Sequence, residues 1–274
     1  MSFFNRRMPR LGAAANTLYR TLRLFSSNRS LRAWGSFLSY LGRRSLNQTI
    51  PPFITIAPTY RCVCRCVHCG VNSPGREALE TELTTEQIKH VIDQAKKLGV
   101  LQVTFTGGEP LLREDLFEMI RHAYHLGLLT RINTSGLLLD REVVGKLKRA
   151  GLTQGAVSID DADPETHDRL RGVPGAYDRA VQGIRNLKDA GIPCQINTVA
   201  ARRNVPEGLK KIIELGRNLG VLAVYIILPM AIGRWAKDYG QVLTEEEKAA
   251  VRGLQETTFV HLELPTPKTL CGIL

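Results

Sequence analysis

The chain has 274 residues, 43% of them hydrophobic and 23% charged, with a net charge of +11. That is the composition of a globular protein able to bury a core. No apolar run approaches the ~18 residues needed to cross a bilayer, and the N-terminus lacks the apolar core of a signal peptide. Six cysteines do not make a disulfide framework here, because four of them fall within CVCRCVHC, residues 62–69, too close to pair without strain. Clustered thiols of this kind read first as metal ligands.

The charge is uneven. Residues 1–50 hold nine arginines and no Asp, Glu or Lys. The remainder is close to neutral, which argues against a nucleic-acid protein whose whole fold is basic. Leu11, Leu18, Leu22 and Phe25, then Leu31, Trp34, Leu38 and Leu41, recur at helical spacing through the basic segment. A helical extension packed on the main domain is the first expectation, peripheral contact with an anionic membrane surface the second, and an organellar targeting segment the third.

Beyond Pro51-Pro52 the pattern settles into a rhythm. Strands are expected at Phe53–Ala57, Leu101–Phe105, Leu129–Asn133, Gly155–Ile159, Cys194–Val199 and Leu222–Leu228. Helices are expected at Thr84–Leu98, about Glu114–Leu126, Asp140–Ala150, about Tyr177–Ala190 and Pro206–Leu219, with one more at Glu245–Gln255. The first five helices are each followed closely by a glycine stop and then a strand. Ser73–Gly75 reads as a turn and Leu264–Pro267 as a linker. Alternating strands and helices mean parallel pairing with right-handed crossovers, either a doubly wound sheet or a partial (β/α) barrel. In both, chemistry gathers at the C-terminal ends of the strands. There lie the cysteine loop, Gly107-Gly108-Glu109-Pro110, Asn133-Thr134-Ser135-Gly136, Ser158 with Asp160-Asp161, Asn197-Thr198, and Pro229, Gly233 and Arg234.

Cys62, Cys66 and Cys69 have the spacing C-x3-C-x2-C. Three thiolates on one tight loop can hold three corners of a cubane iron–sulfur cluster and leave the fourth iron open to a small molecule. Cys64 is the bystander. A four-cysteine zinc site is the alternative, although zinc knuckles usually pair two C-x2-C arms. His167 next to Asp168 points to capping or salt bridging rather than acid–base work. Asp160-Asp161-Ala162-Asp163 lacks the glycine and terminal glutamate of a calcium loop.

C-x3-C-x2-C after a first strand and GGEP after a second resemble the radical S-adenosylmethionine superfamily, over about residues 52–235. The resemblance implies a partial (β/α)6 TIM-like barrel at 51–240. A helical basic extension at 1–50 precedes it, and a C-terminal helix and linker follow at 241–274. It implies a [4Fe–4S] cluster on Cys62, Cys66 and Cys69, with S-adenosylmethionine on its open iron. Gly107 and Gly108, with Glu109, would lie against the methionine amino group, glycine being needed where a ligand approaches bare backbone. Ser135, Ser158 and Asp160 match positions that hold the methionyl or ribose part, and Arg171 matches an arginine for the methionine carboxylate. Asn197 and Leu228–Gly233 fall on the ribose and adenine side. His68 stands where the family often has Tyr or Phe and reads as cover for the cluster.

The implied activity is reductive cleavage of S-adenosylmethionine to a 5′-deoxyadenosyl radical that abstracts a substrate hydrogen, in peptide modification or cofactor biosynthesis. A low-potential donor of flavodoxin or ferredoxin type would supply the electron, and the location would be cytoplasmic. A non-catalytic iron–sulfur or zinc scaffold is the alternative. Cys271-Gly272 resembles the start of the auxiliary-cluster extension, called SPASM or twitch, of one family branch.

Overall fold

The computed structural model describes residues 31–46, 50–70, 82–229, 234, 242–254 and 259–263. Its elements begin and end where local chemistry dictates. Helix α1 spans Leu31–Ser45, strand β1 Phe53–Thr59, α2 Thr85–Leu98, β2 Gln102–Gly107, α3 Leu116–His125 and β3 Leu129–Thr134. Then come α4 Arg141–Ala150, β4 Gln154–Ser158, α5 Pro164–Arg171, α6 Ala176–Asp189, β5 Cys194–Val199, α7 Glu207–Leu219, β6 Val224–Ile227, α8 Glu245–Gly253 and β7 Val260–Glu263. Helix α2 shows the logic. Thr84 accepts from the Gln87 N–H while the Gln87 side chain accepts from the Thr84 N–H, so each satisfies an orphan donor of the first turn. At the other end Gly99, at φ +96°, returns its N–H to the carbonyls of Ala95 and Lys96.

The strands form one parallel sheet in the order β1 to β7, open between its two edge strands. Helices α2 to α8 lie in the crossovers between successive strands, and the whole is a partial TIM-like barrel. One face of the sheet carries Val103, Phe105, Ile132, Val157, Ile196 and Ile226, which pack into the main core with the helices. Each such fully buried side chain contributes roughly 1.5–3 kcal/mol. Side chains alternate along a strand, so the residues between them face the other way, into the barrel. That inner face is polar. Thr55, Thr104, Arg131 and Gln154 are register partners across β1 to β4, and Ser158, Asn197, Tyr225 and His261 across β4 to β7. Gln154 donates to Gln195 at 3.0 Å and Gln195 donates to Asn197 at 2.7 Å, all three buried. An ordinary structural barrel fills this space with branched apolar residues.

Helix α1 closes the opposite end. Ala33 and Phe37 are buried against Leu101 and Leu129 at the starts of β2 and β3. Ser36 donates to the Gly127 carbonyl at 2.9 Å and receives the Lys96 ammonium at 2.6 Å. The first expectation for the basic segment, a helix packed on the domain, therefore holds for its described part.

Two elements go beyond the expected pattern. Helix α5 lies between β4 and α6, and β7 adds a seventh strand beside β6, so the sheet continues past residue 240. The turn at 73–75, residues 1–30, the linker at 264–267, Cys271-Gly272 and residues 230–233 lie outside the described residues.

Candidate active site at the C-terminal rim

The cysteine loop leaves β1 at Thr59 and is tied down on two sides. On the first, Gly108 N–H donates to the Thr59 carbonyl at 2.9 Å and Glu109 N–H to the Arg61 carbonyl at 2.8 Å. This contact explains the two glycines. A Cβ on Gly107 would lie 2.3 Å from the Thr59 carbonyl oxygen, and one on Gly108 2.1 Å from that of Arg61. Gly107 also has φ +111°, where a side chain is strained. Neighbouring backbone thus already requires glycine here, a correction to the expectation that ligand approach alone demands it.

On the second side, Arg65 N–H donates to the Arg171 carbonyl at 2.8 Å and Val67 N–H to the Leu170 carbonyl at 3.0 Å, both at the end of α5. Arg234 reaches back after β6, its N–H on the Cys69 carbonyl at 3.0 Å and its guanidinium on the Cys66 carbonyl at 3.2 Å. The loop is therefore held by the ends of β2, α5 and β6 together.

Within it Cys62, Cys64, Cys66 and Cys69 share an apolar pocket with Leu137 and Ala176. The Cys64 thiol hydrogen-bonds toward both Cys62 and Cys66, so Cys64 keeps its proton far above the usual thiol range. The same bonds lower Cys62, and with help from Arg171 hold Cys66 down at about 5. Thiolate is the form that ligates iron.

Several predicted cofactor contacts have protein partners. Glu109 is fully buried, and its carboxylate accepts from Leu111 N–H, Thr134 Oγ1, Ser135 N–H and Ser135 Oγ, the last at 2.6 Å. Burial raises its pKa despite those bonds. Glu109 and Ser135 therefore clasp the β2 and β3 loops to each other. Asp160 also has protein partners, although its Oδ2 makes no hydrogen bond. Its Oδ1 accepts from Val199 N–H at 3.1 Å, and its Oδ2 lies 2.7 Å from Arg171 Nη2 and 3.2 Å from His68 Nε2. Burial opposes its charge, but Arg171, His68 and His167 hold the carboxyl at about 2. His68 is thus an anchored partner of Asp160 rather than simple cover. His167 is also buried, its Nδ1 accepting from the Asp160 N–H at 3.2 Å, and is neither cap nor salt bridge. Arg171 is buried, 8% exposed. Its Nη1 lies 3.5 Å from Cys66 Sγ.

A few polar atoms stay open. Arg171 Nε and Asn133 Oδ1 are buried with no hydrogen-bond partner. Native proteins seldom leave such atoms unmatched, so they mark where a ligand fits. Ser158 and Asn197 sit side by side at the ends of β4 and β5. Among the described residues no three His, Cys, Asp or Glu side chains close around a point that one ion could occupy. A cubane gives each cysteine its own iron, so its ligands stand apart. Thiolate-prone cysteines in an apolar pocket, with open donors beside them, fit a cluster and a small chelating ligand.

A model of the Radical SAM superfamily matches residues 56–216. The chain is 41% identical over 185 residues to an AdoMet-dependent heme synthase of Methanosarcina barkeri, covering 67% of this chain and 52% of the relative. It is 37% identical over 171 residues to a PqqA peptide cyclase of Granulibacter bethesdensis, covering 62% of this chain and 45% of that one. The chain thus spans about half the length of these curated relatives. Among solved structures, Streptococcus suis SuiB bound to S-adenosylmethionine superposes with TM-score 0.63 at 19% identity, over 79% of this chain and 51% of that one.

Proposed function

The chain belongs to the radical S-adenosylmethionine superfamily, and from that premise we propose that it is a radical enzyme with its cluster on Cys62, Cys66 and Cys69. The observation that carries the reading is the cysteine loop itself, pinned at the C-terminal rim next to buried donors and acceptors that lack partners. Bound together, a [4Fe–4S] cluster and S-adenosylmethionine supply one-electron cleavage to a 5′-deoxyadenosyl radical that takes a hydrogen atom from substrate.

This chain's residues do the holding. Arg171 keeps Nε free for a carboxylate, the group a guanidinium suits best. Ser158 and Asn197, side by side at the ends of β4 and β5, add polar groups to the rim. The loop's apolar lining of Leu137 and Ala176 keeps water from a radical. A low-potential one-electron donor serves the site.

The polar inner face supports a substrate rich in hydrogen-bonding groups, with Arg131 placed to receive a carboxylate. The 41% identity to a heme synthase supports a tetrapyrrole as the first substrate class. The PqqA cyclase match supports a peptide as the second. On α1, Leu38 and Leu41 are exposed and follow an arginine-rich stretch. We read this face as a peripheral contact for anionic lipid, which co-sedimentation with anionic against neutral vesicles would test.

The deciding experiment is anaerobic reconstitution with iron and sulfide, followed by dithionite and S-adenosylmethionine, with 5′-deoxyadenosine measured by chromatography. Product well above a Cys62/Cys66/Cys69 triple-alanine control is expected. A fully loaded protein that yields none, with a tetrapyrrole or a peptide present, would leave the scaffold reading standing.

A further inference from the structure

Arg171 bridges two groups of opposite purpose. Its Nη1 lies 3.5 Å from Cys66 Sγ, a cluster ligand in the reading above, and its Nη2 lies 2.7 Å from Asp160 Oδ2. Further contacts hold both residues. Asp160 is held by Val199 N–H on its other oxygen and by His68 on the same one. Its own N–H donates to His167 Nδ1 at 3.2 Å, and its carbonyl accepts from Asn204 Nδ2 at 3.3 Å. The helix carrying Arg171 is stitched to the cysteine loop through the carbonyls of Leu170 and Arg171. It ends at Gly172, φ +66°, where a Cβ would press to 3.0 Å from the Arg65 carbonyl oxygen. The guanidinium can move neither away from the sulfur nor away from the carboxylate.

We propose that Arg171 and Asp160 set the reduction potential of the cluster, Arg171 as the donor to the Cys66 sulfur and Asp160 as the positioning residue that fixes and partly cancels its charge. The inference rests on the cluster assignment. Net charge and hydrogen bonds to the sulfurs govern such potentials. On taking one electron from its donor the cluster gains one negative charge, with no bond made or broken in Arg171 or Asp160. A cation and an N–H at the ligand sulfur stabilise that reduced form and raise the potential. A buried carboxylate behind the cation lowers it. A pair serves better than a lone arginine because it keeps the donor aimed while holding the local charge near zero, so that the reduced cluster still has the driving force to pass its electron on.

The two members must therefore shift the potential in opposite directions, which a merely structural role would not produce. The test is a potentiometric titration of the reconstituted protein without S-adenosylmethionine, followed by electron paramagnetic resonance, with iron and sulfide counted in each sample. Arg171→Gln is expected to make reduction at least tenfold less favourable, about 59 mV more negative for one electron. Asp160→Asn, which keeps an oxygen for Arg171, is expected to move it the other way. Arg171→Lys, retaining charge without the fork, should fall between wild type and Arg171→Gln, and it replaces Arg171→Gln if that variant fails to load. Loaded variants with unchanged potentials, or with shifts of the same sign, overturn the inference. A wild-type protein that takes up no cluster overturns the assignment beneath it and the inference with it.

Discussion

At the N-terminal ends of the strands the chain turns from helix to strand through short links closed by left-handed glycines such as Gly99, Gly127 and Gly220, over an apolar floor of Ala33, Phe37, Leu101 and Leu129. At the C-terminal ends the loops carry buried charge, namely Glu109, Asp160 and Arg171, each needing partners from two or three other loops. The floor is stabilised by chain geometry and hydrophobic burial, which tolerate moderate change. The rim depends on polar groups whose partners must all be present, since a buried group left unmatched costs ~1–3 kcal/mol. The difference teaches where stability and chemistry are placed: the floor holds the barrel together, and the rim accepts unmatched atoms where a ligand completes them.

The comparison breaks most sharply at the cysteines. Cys66→Ala is expected to abolish cluster uptake and 5′-deoxyadenosine formation, whereas Cys64→Ala retains the cluster. Absorbance near 400 nm and iron content check both, and an intact spectrum in Cys66→Ala would overturn the ligand assignment.

Glycines at the two ends sharpen it further. Gly108→Ala places a methyl into the Arg61 carbonyl and should cost ~3 kcal/mol. Gly99→Ala meets only the side chains of Ile50 and Arg43, at 3.4 Å and beyond, so its cost is the left-handed backbone alone, ~1–2 kcal/mol. Urea unfolding of the two variants measures the gap, and equal losses would mean that the rim is no more demanding than the floor. Glu109→Gln keeps shape but turns an amide toward two donors, with an expected loss of about 2 kcal/mol in the same assay.

The smallest effect concerns pH. Burial, aided by the charge of Arg171, lowers His167 to about 4 from its ordinary 6.5. The unfolded chain therefore takes up the proton first. Stability from the neutral imidazole is full above about 6.5 and declines as pH falls toward 4. Cluster-free protein should lose melting temperature between pH 7 and pH 5, and His167→Gln should lose less. His68 is lowered in the same direction and adds to the wild-type slope in both proteins.

Much of this molecule is written locally. Helix ends at Gly99, Gly151 and Gly220, the capping box at Thr84, the alternation of strands with helices, and the C-x3-C-x2-C spacing all depend on residues a few positions apart. Their physics acts in any context, so six strands and the cysteine motif were legible without coordinates. Helix α5 carried legible signals too, with Asp163 as cap, Pro164 in its first turn and Gly172 at its end. Its polar sequence hid them, because its buried residues are His167, Leu170 and Arg171 rather than an apolar stripe. Strand β7 is four residues long, too short for periodicity to separate from a loop.

What only the tertiary structure decided is which polar group faces which. Glu109 meets Ser135 across 26 positions and Arg171 meets Cys66 across 105. No local pattern encodes such pairs, because a charge declares its partner only when burial removes water as the alternative.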